Sequence, residues 1–251
     1  MAVTIKSKSE IEKMRKAGRI LALVHEEMAK HVKPGISTWE LNKIGEQKIR
    51  ELGCTPSFLH LYGFPAAICI SVNDRVVHGI PSKQEILREG DIVSLDAGVN
   101  YQGYHSDAAR TVPCGEVSAE AERLIEVTEQ SFFEGIKFAK AGNHLYDISA
   151  AIEDYVVANG YSCVRDLVGH GIGSQVHEDP QIPNFRQKRR GLKLAAGMTL
   201  AIEPMVNEGR YDVCVLDDDW TVVTDDGLLS AHYENTILIT DGEPEILSLL
   251  K

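Results

Sequence analysis

The chain reads as an α+β protein made of two related halves. Helical and β-type patterning fall in separate blocks, and the order helix pair then strands occurs twice. A single spacing joins the two occurrences. Lys140 follows Lys33 by 107 positions, and the same spacing carries Gly35 onto Gly142, Trp39 onto Tyr146 and Glu40 onto Asp147. It also carries Gly53 onto Gly160, Gly90 onto Gly197 and Asp96 onto Glu203. One spacing held this far along the chain predicts a duplication, with halves of about 1–115 and 116–251.

The elements follow in order. Residues 8–32 place Ile11, Met14, Ile20, Leu21, Val24 and Met28 at helical spacing, with Ser9 as the expected cap. Pro34-Gly35 ends that helix. Ser37 with Glu40 three residues on forms a capping box for a second helix that Gly53 stops. The second half repeats the plan, with helices expected over 119–139 and 146–158 and a stop at Gly160. Strands are expected at 67–77 and 91–112, then at 198–206, 213–216, 221–224 and 230–240.

Length and charge narrow the function. A chain of 251 residues can bury a sizeable core, and 43% hydrophobic with 25% charged residues is ordinary for a soluble protein. A net charge of −11 argues against broad contact with nucleic acid or an anionic membrane. The basic run Arg186-Gln187-Lys188-Arg189-Arg190 reads as a solvated loop. Five cysteines without a C-x-x-C pair suit reduced thiols. Without a signal-like or membrane-length apolar run, the expectation is a soluble cytoplasmic protein.

Three carboxylates sit in segments too apolar for a solvated surface, and a fourth joins them. Asp96 follows Ile92-Val93-Ser94-Leu95, Glu203 lies between Leu200-Ala201-Ile202 and Pro204-Met205-Val206, and Glu234 precedes Asn235-Thr236-Ile237-Leu238. Burying ionised carboxylates is costly unless a cation compensates them. Asp107 joins the set through a hairpin: a turn centred between Tyr101 and Gln102 sets it opposite Asp96, with Cβ atoms roughly 5 Å apart. The pair could bind one ion or bridge two. Glu203 and Glu234 fall on the outer strands around an inner hairpin turned at Asp217-Asp218-Asp219, and such strands can lie side by side.

His170, in Gly169-His170-Gly171-Ile172-Gly173, is the matching nitrogen donor, its glycines allowing a sharp turn and an accessible ring. His78 and His177 recur in His-x-x-Pro contexts, one per half, and are expected to face one cleft. His25, His31, His60, His105, His144 and His232 read as structural. An oxygen-rich set with one imidazole suits Mn, Fe(II), Co or Zn rather than a structural zinc or a calcium loop. Four negative charges balance two divalent ions about 3.5 Å apart, which activate a bridging water for hydrolysis.

These residues lie in the segments NDRVVHGIP (73–81), DIVSLDAGV (91–99), YHSDAART (104–111), GHGIG (169–173), HEDPQIPN (177–184), AIEPMV (201–206) and DDWTVVTDDGLLSAHYENT (218–236). Over essentially its whole length the chain resembles the type I methionine aminopeptidases of the pita-bread fold. The resemblance implies a single catalytic domain whose dinuclear metal ligands are Asp96, Asp107, His170, Glu203 and Glu234. It implies hydrolytic removal of the initiator methionine from nascent chains with a small second residue, by a metal-bridging hydroxide, with Glu203 as general base. His78 and His177 then position substrate and move protons, Trp220 walls the site, and Phe58, Leu61, Phe64 and Cys69 fall at the methionine pocket. Core packing is the other reading of Phe58, Phe64 and Cys69.

The sequence departs from the family at His60-Leu61, where Gly-Tyr is usual; Leu61 lacks the expected ring and Tyr62 follows it. Asn235 stands where many relatives have His. Only 32 residues separate His170 from Glu203, too few for the helical insertion of type II enzymes, and neither a zinc module nor the extra N-terminal domain of proline-specific relatives is found. Implied partners are nascent N-termini near the ribosome, with a monomeric enzyme. A metal-free binding protein would have lost several ligands, and a dinuclear phosphoesterase would need basic clamps beside the metals.

Overall fold

The structure is a computed structural model, and it describes residues 3–250. Four helices carry the α layer: α1 (Lys8–Ala29), α2 (Thr38–Glu51), α3 (Ala119–Ile136) and α4 (Leu145–Ala158). The spacing of 107 reappears in space. It carries both ends of α2 onto those of α4, and the end of α1 onto the end of α3. It also carries the bridge Ser37–Ile86 onto His144–Lys193. Gly35 N–H donates to the Leu87 carbonyl and Gly142 N–H to that of Leu194. Both glycines are left-handed, at φ 94° and 95°.

Capping sets the helix starts. Ser37 and Glu40 form the expected reciprocal box, a device worth about 1 kcal/mol. The first helix starts from Ser7 rather than Ser9, with Glu10 closing the box. Its start is fixed because Lys6 N–H donates to the Gly197 carbonyl, which holds the chain extended up to that point. It ends at Ala29, short of the expected residue 32, before the turn that leads to Pro34.

A nine-stranded sheet runs through both halves. Its main order is 55–56, 92–101, 104–113, 234–238, 199–202, 169–171 and 178–182, with 68–72 paired to 92–101 and 245–246 to 234–238. Val93, Leu95, Ala97 and Val99 pack in one core cluster with α1 and α2 residues. Leu200, Ile202 and Ile237 pack in another with α3 and α4 residues. Each fully buried Leu or Ile there contributes roughly 1.5–3 kcal/mol. With one face committed to helices, strand alternation sends Asp96, Ala201 and Glu234 to the other.

The hairpin register differs from the sequence expectation. Tyr101 pairs with Tyr104, so the turn is Gln102-Gly103, both left-handed at φ 52° and 82°. Asp96 therefore lies opposite Ala109 and Asp107 opposite Gly98. The two aspartates share a face but are diagonal neighbours. The strands at 169–171 and 178–182, short and glycine- or proline-bearing, lie outside the segments expected to be β.

Candidate metal centre

The open face of the sheet gathers the acidic residues in two adjacent rows. In the first, Ala109 pairs with Asp96 on one side and Glu234 on the other. Asn235 pairs with Ile202, so the same ladder continued by one residue sets Glu203 beside Glu234. In the second row Gly98 pairs with Asp107, and Ala201 pairs with both Thr236 and His170. Thr236 Oγ1 accepts from the Asp107 N–H at 2.8 Å and donates to its carbonyl at 2.9 Å. Ala109, between Asp96 and Glu234, is small, and Gly98 gives room to Ser57 and Phe58, whose atoms would stand 2.7 and 2.8 Å from a Cβ there.

His170 reaches the second row from a buried strand, not from the sharp turn its glycines suggested. The glycines are required for close backbone approach. A Cβ on Gly171 would stand 2.1 Å from the Asp179 carbonyl oxygen, and one on Gly169 2.5 Å from that of Ala201. The ring is correspondingly buried. His170 Nδ1 lies 2.9 Å from the Gly171 carbonyl, so that nitrogen carries the proton and donates. Its bare Nε2 then faces Glu203 Oε1 at 3.5 Å and Asp107 Oδ2 at 4.0 Å.

The electrostatics of this cluster suit a cation. Burial pushes the Asp96 carboxyl up to about 7. Burial, then the neighbouring carboxylates, hold Asp107, Glu203 and Glu234 well above the usual range. Asp96 Oδ1, Asp107 Oδ1 and Glu234 Oε1 are buried without a hydrogen-bond partner among the described residues. Arg110 is the near cation, yet its guanidinium donates to the carbonyls of Ala109 and Glu234 and to Asn235 Oδ1, and stacks over Tyr233. One donor atom each from Asp107, His170 and Glu234 falls within 4.8 Å of the others. Orphaned carboxylate oxygens beside an unprotonated imidazole nitrogen fit a divalent metal.

The rows form the floor of a cavity of about 400 Å³. All twelve residues singled out in the sequence line it: the five acidic and imidazole donors, His78, His177, Trp220, Phe58, Leu61, Phe64 and Cys69. Phe58, Phe64, Cys69 and Val176 form an apolar cluster against which Leu61 and Trp220 pack. Trp220 meets Phe64 edge-on at 5.2 Å and His78 at 6.4 Å. Cys69 pairs with Asp96, and burial followed by the charge of Asp96 raises its thiol well above the ordinary value. Burial, with His177 nearby, lowers the His78 imidazole to about 4, so it is neutral.

One residue read as structural belongs here. His232 lines the cavity, its ring is buried with neither nitrogen hydrogen-bonded among the described residues, and its Nε2 lies 3.9 Å from Glu203 Oε2. The sequence signal was its place two residues before Glu234 in a strand region. The basic run at 186–190 keeps away from the cavity: Arg186 pairs with Asp154 and Arg190 with Asp147 on the surface. The phosphate clamps that a phosphoesterase would need are not formed by this run.

A helix-backed sheet whose open face carries four carboxylates and an imidazole defines a metallohydrolase of the pita-bread fold. Residues 12–241 match the model of metallopeptidase family M24. A methionine aminopeptidase of Clostridium perfringens is 58% identical over 249 residues, covering 99% of this chain and 100% of that protein. The crystal structure of the Thermotoga maritima methionine aminopeptidase superposes with a TM-score of 0.97 at 44% identity, over 99% of this chain and 100% of that one. A Bacillus anthracis Xaa-Pro dipeptidase shares the fold at a TM-score of 0.80 and 26% identity, over 98% of this chain and 62% of that one. The chain belongs to metallopeptidase family M24 and, within it, to the type I methionine aminopeptidases.

Proposed function

We propose that this chain hydrolyses the first peptide bond of nascent proteins and peptides that begin with methionine followed by a small residue. The observation that carries the reading is the pair of rows holding Asp96, Glu234 and Glu203 beside Asp107 and His170, with the small Ala109 between Asp96 and Glu234. We assign these five as ligands of two divalent ions, Co, Mn, Fe(II) or Zn. Such ions, when bound, polarise the scissile carbonyl and make water nucleophilic at neutral pH.

The chain's own groups do the rest. Phe58, Leu61, Phe64, Cys69 and Trp220 take the methionine side chain in an apolar wall that excludes water. Glu203 takes the proton of the attacking water and returns it to the departing amine nitrogen as the C–N bond breaks. His177, at the cavity mouth, donates to the oxygen that gains charge, a contact worth about 3 kcal/mol where such donors have been removed. Neutral His78 steadies the substrate backbone. The whole chain acts as one catalytic domain, a cytoplasmic monomer working near the ribosome on emerging N-termini. Among the described residues no helix is long and apolar enough to cross a membrane, which is compatible with that location.

The test is peptide turnover by the metal-loaded protein. Met-Ala-Ser should release methionine, while Leu-Ala-Ser, Met-Trp-Ser and a phosphate monoester should be poor substrates. Equal release from Leu-Ala-Ser would remove the methionine assignment, and phosphate release alone would replace the peptidase reading.

A further inference from the structure

The segment 60–64 is a tight turn closed by its own backbone, with His60 N–H donating to the Phe64 carbonyl at 2.9 Å and Gly63 N–H to that of His60 at 3.2 Å. His60 and Tyr62 are both left-handed, at φ 69° and 51°, and Gly63 follows at 94°. For bulky side chains this conformation is disfavoured, and it persists where the surroundings enforce it. Leu61 turns into the apolar wall of the cavity, whereas Tyr62 is 74% exposed and adds little to any core. What Tyr62 does touch is His177. Their rings stack at 5.7 Å with 13° between the planes, and the phenol oxygen lies 3.4 Å from His177 Nδ1. That imidazole also meets the ring of His170 edge-on at 4.5 Å.

We propose that Tyr62 is a positioning residue that sets the tautomer of His177. The phenol is the more acidic partner, so its O–H donates to Nδ1 and the imidazole proton resides on Nε2. His177 is thereby kept as an N–H donor through Nε2, while the stacked phenol face limits ring rotation. The strained backbone at 60–63 places this ring over His177 while leaving Leu61 in the pocket. Tyr62 thus acts on the second half of the reaction centre from a loop of the first half. This inference rests on the reading of His177 as a donor to the substrate oxygen.

The experiment separates the two. In the zinc-loaded protein, ¹⁵N-histidine NMR, with His177 assigned by its loss in His177→Ala, should show Nδ1 unprotonated and Nε2 protonated. Tyr62→Phe keeps the ring and removes the hydroxyl; it should give a mixed tautomer and a five- to tenfold lower kcat, about the worth of one hydrogen bond, with KM within twofold. Tyr62→Leu removes the stack as well, and should raise KM in addition. Wild-type kcat and an unchanged ¹⁵N pattern in Tyr62→Phe would overturn the proposal while leaving the donor role of His177 intact. Wild-type turnover by His177→Ala would remove the donor role and the proposal with it.

Discussion

Glu203 lies between two imidazoles, its Oε1 3.5 Å from His170 Nε2 while its Oε2 faces His232 Nε2 at 3.9 Å. Each oxygen of the carboxylate thus has one imidazole nitrogen as a near neighbour. Removing its charge while keeping its shape should leave the fold intact and stop the chemistry. Glu203→Gln should lower kcat on Met-Ala-Ser by at least about 10²-fold, the lower range for losing a general base. Its melting temperature should stay near wild type. Turnover within threefold of wild type would remove Glu203 from the proton-transfer role.

The unpaired oxygens of Asp96, Asp107 and Glu234 make a second expectation. Chelation and dialysis should abolish peptide turnover, and Mn, Fe(II), Co or Zn should restore it. Titration calorimetry should resolve up to two ions per chain. Because binding acts on the folded state alone, metal at a hundred times its Kd should add about 2.7 kcal/mol to stability. Asp107→Asn should weaken metal binding measured directly, with no reference to activity.

His25 sets a pH dependence through a buried ring that touches the backbone beside Asp107. Its Nε2–H donates to the Ala108 carbonyl, and burial lowers its imidazole to about 3. The folded pKa is thus depressed below the ordinary value of 6.5, so the unfolded chain binds the proton first as pH falls. The stability associated with the neutral ring is complete above about 6.5 and is lost progressively below it. Between pH 7 and pH 5 this amounts to about 2 kcal/mol. Chemical denaturation of His25→Gln should show a shallower loss over that range than wild type; parallel curves would refute it.

Gly171 tests how the imidazole is delivered. A methyl at that position would collide with the Asp179 carbonyl oxygen at 2.1 Å, and backbone cannot give way as a flexible side chain can. Gly171→Ala should cost about 1–3 kcal/mol, as overpacking does elsewhere, and should weaken metal binding by displacing His170. A variant with wild-type melting and metal affinity would show that the strand tolerates the methyl.

Much of this was legible in the chain because short-range chemistry wrote it there. Ser37 with Glu40 and the stop at Gly53 bound α2 closely, since capping and left-handed glycine are local effects. Acids set against apolar runs, as at Asp96 and Glu203, stood out because burial of charge is costly wherever it occurs. The pairing of Asp96 with Ala109 was misjudged by two residues because the turn was centred one position early, at Tyr101/Gln102 instead of Gln102/Gly103. His170 was misplaced in a turn because glycine serves both turns and close backbone approach, and only the partner strand distinguishes them. His232 was missed because its neighbour Glu203 is distant in sequence and comes close only through the fold.

Ala109 carries no charge and donates nothing from its side chain, yet it is the residue set between Asp96 and Glu234. Such a floor can be ruined without touching an acid. A leucine at 109 would be unremarkable by hydropathy and would occupy the ground between Asp96 and Glu234. Selection on this enzyme therefore acts on the size of an uncharged residue as well as on the charges beside it.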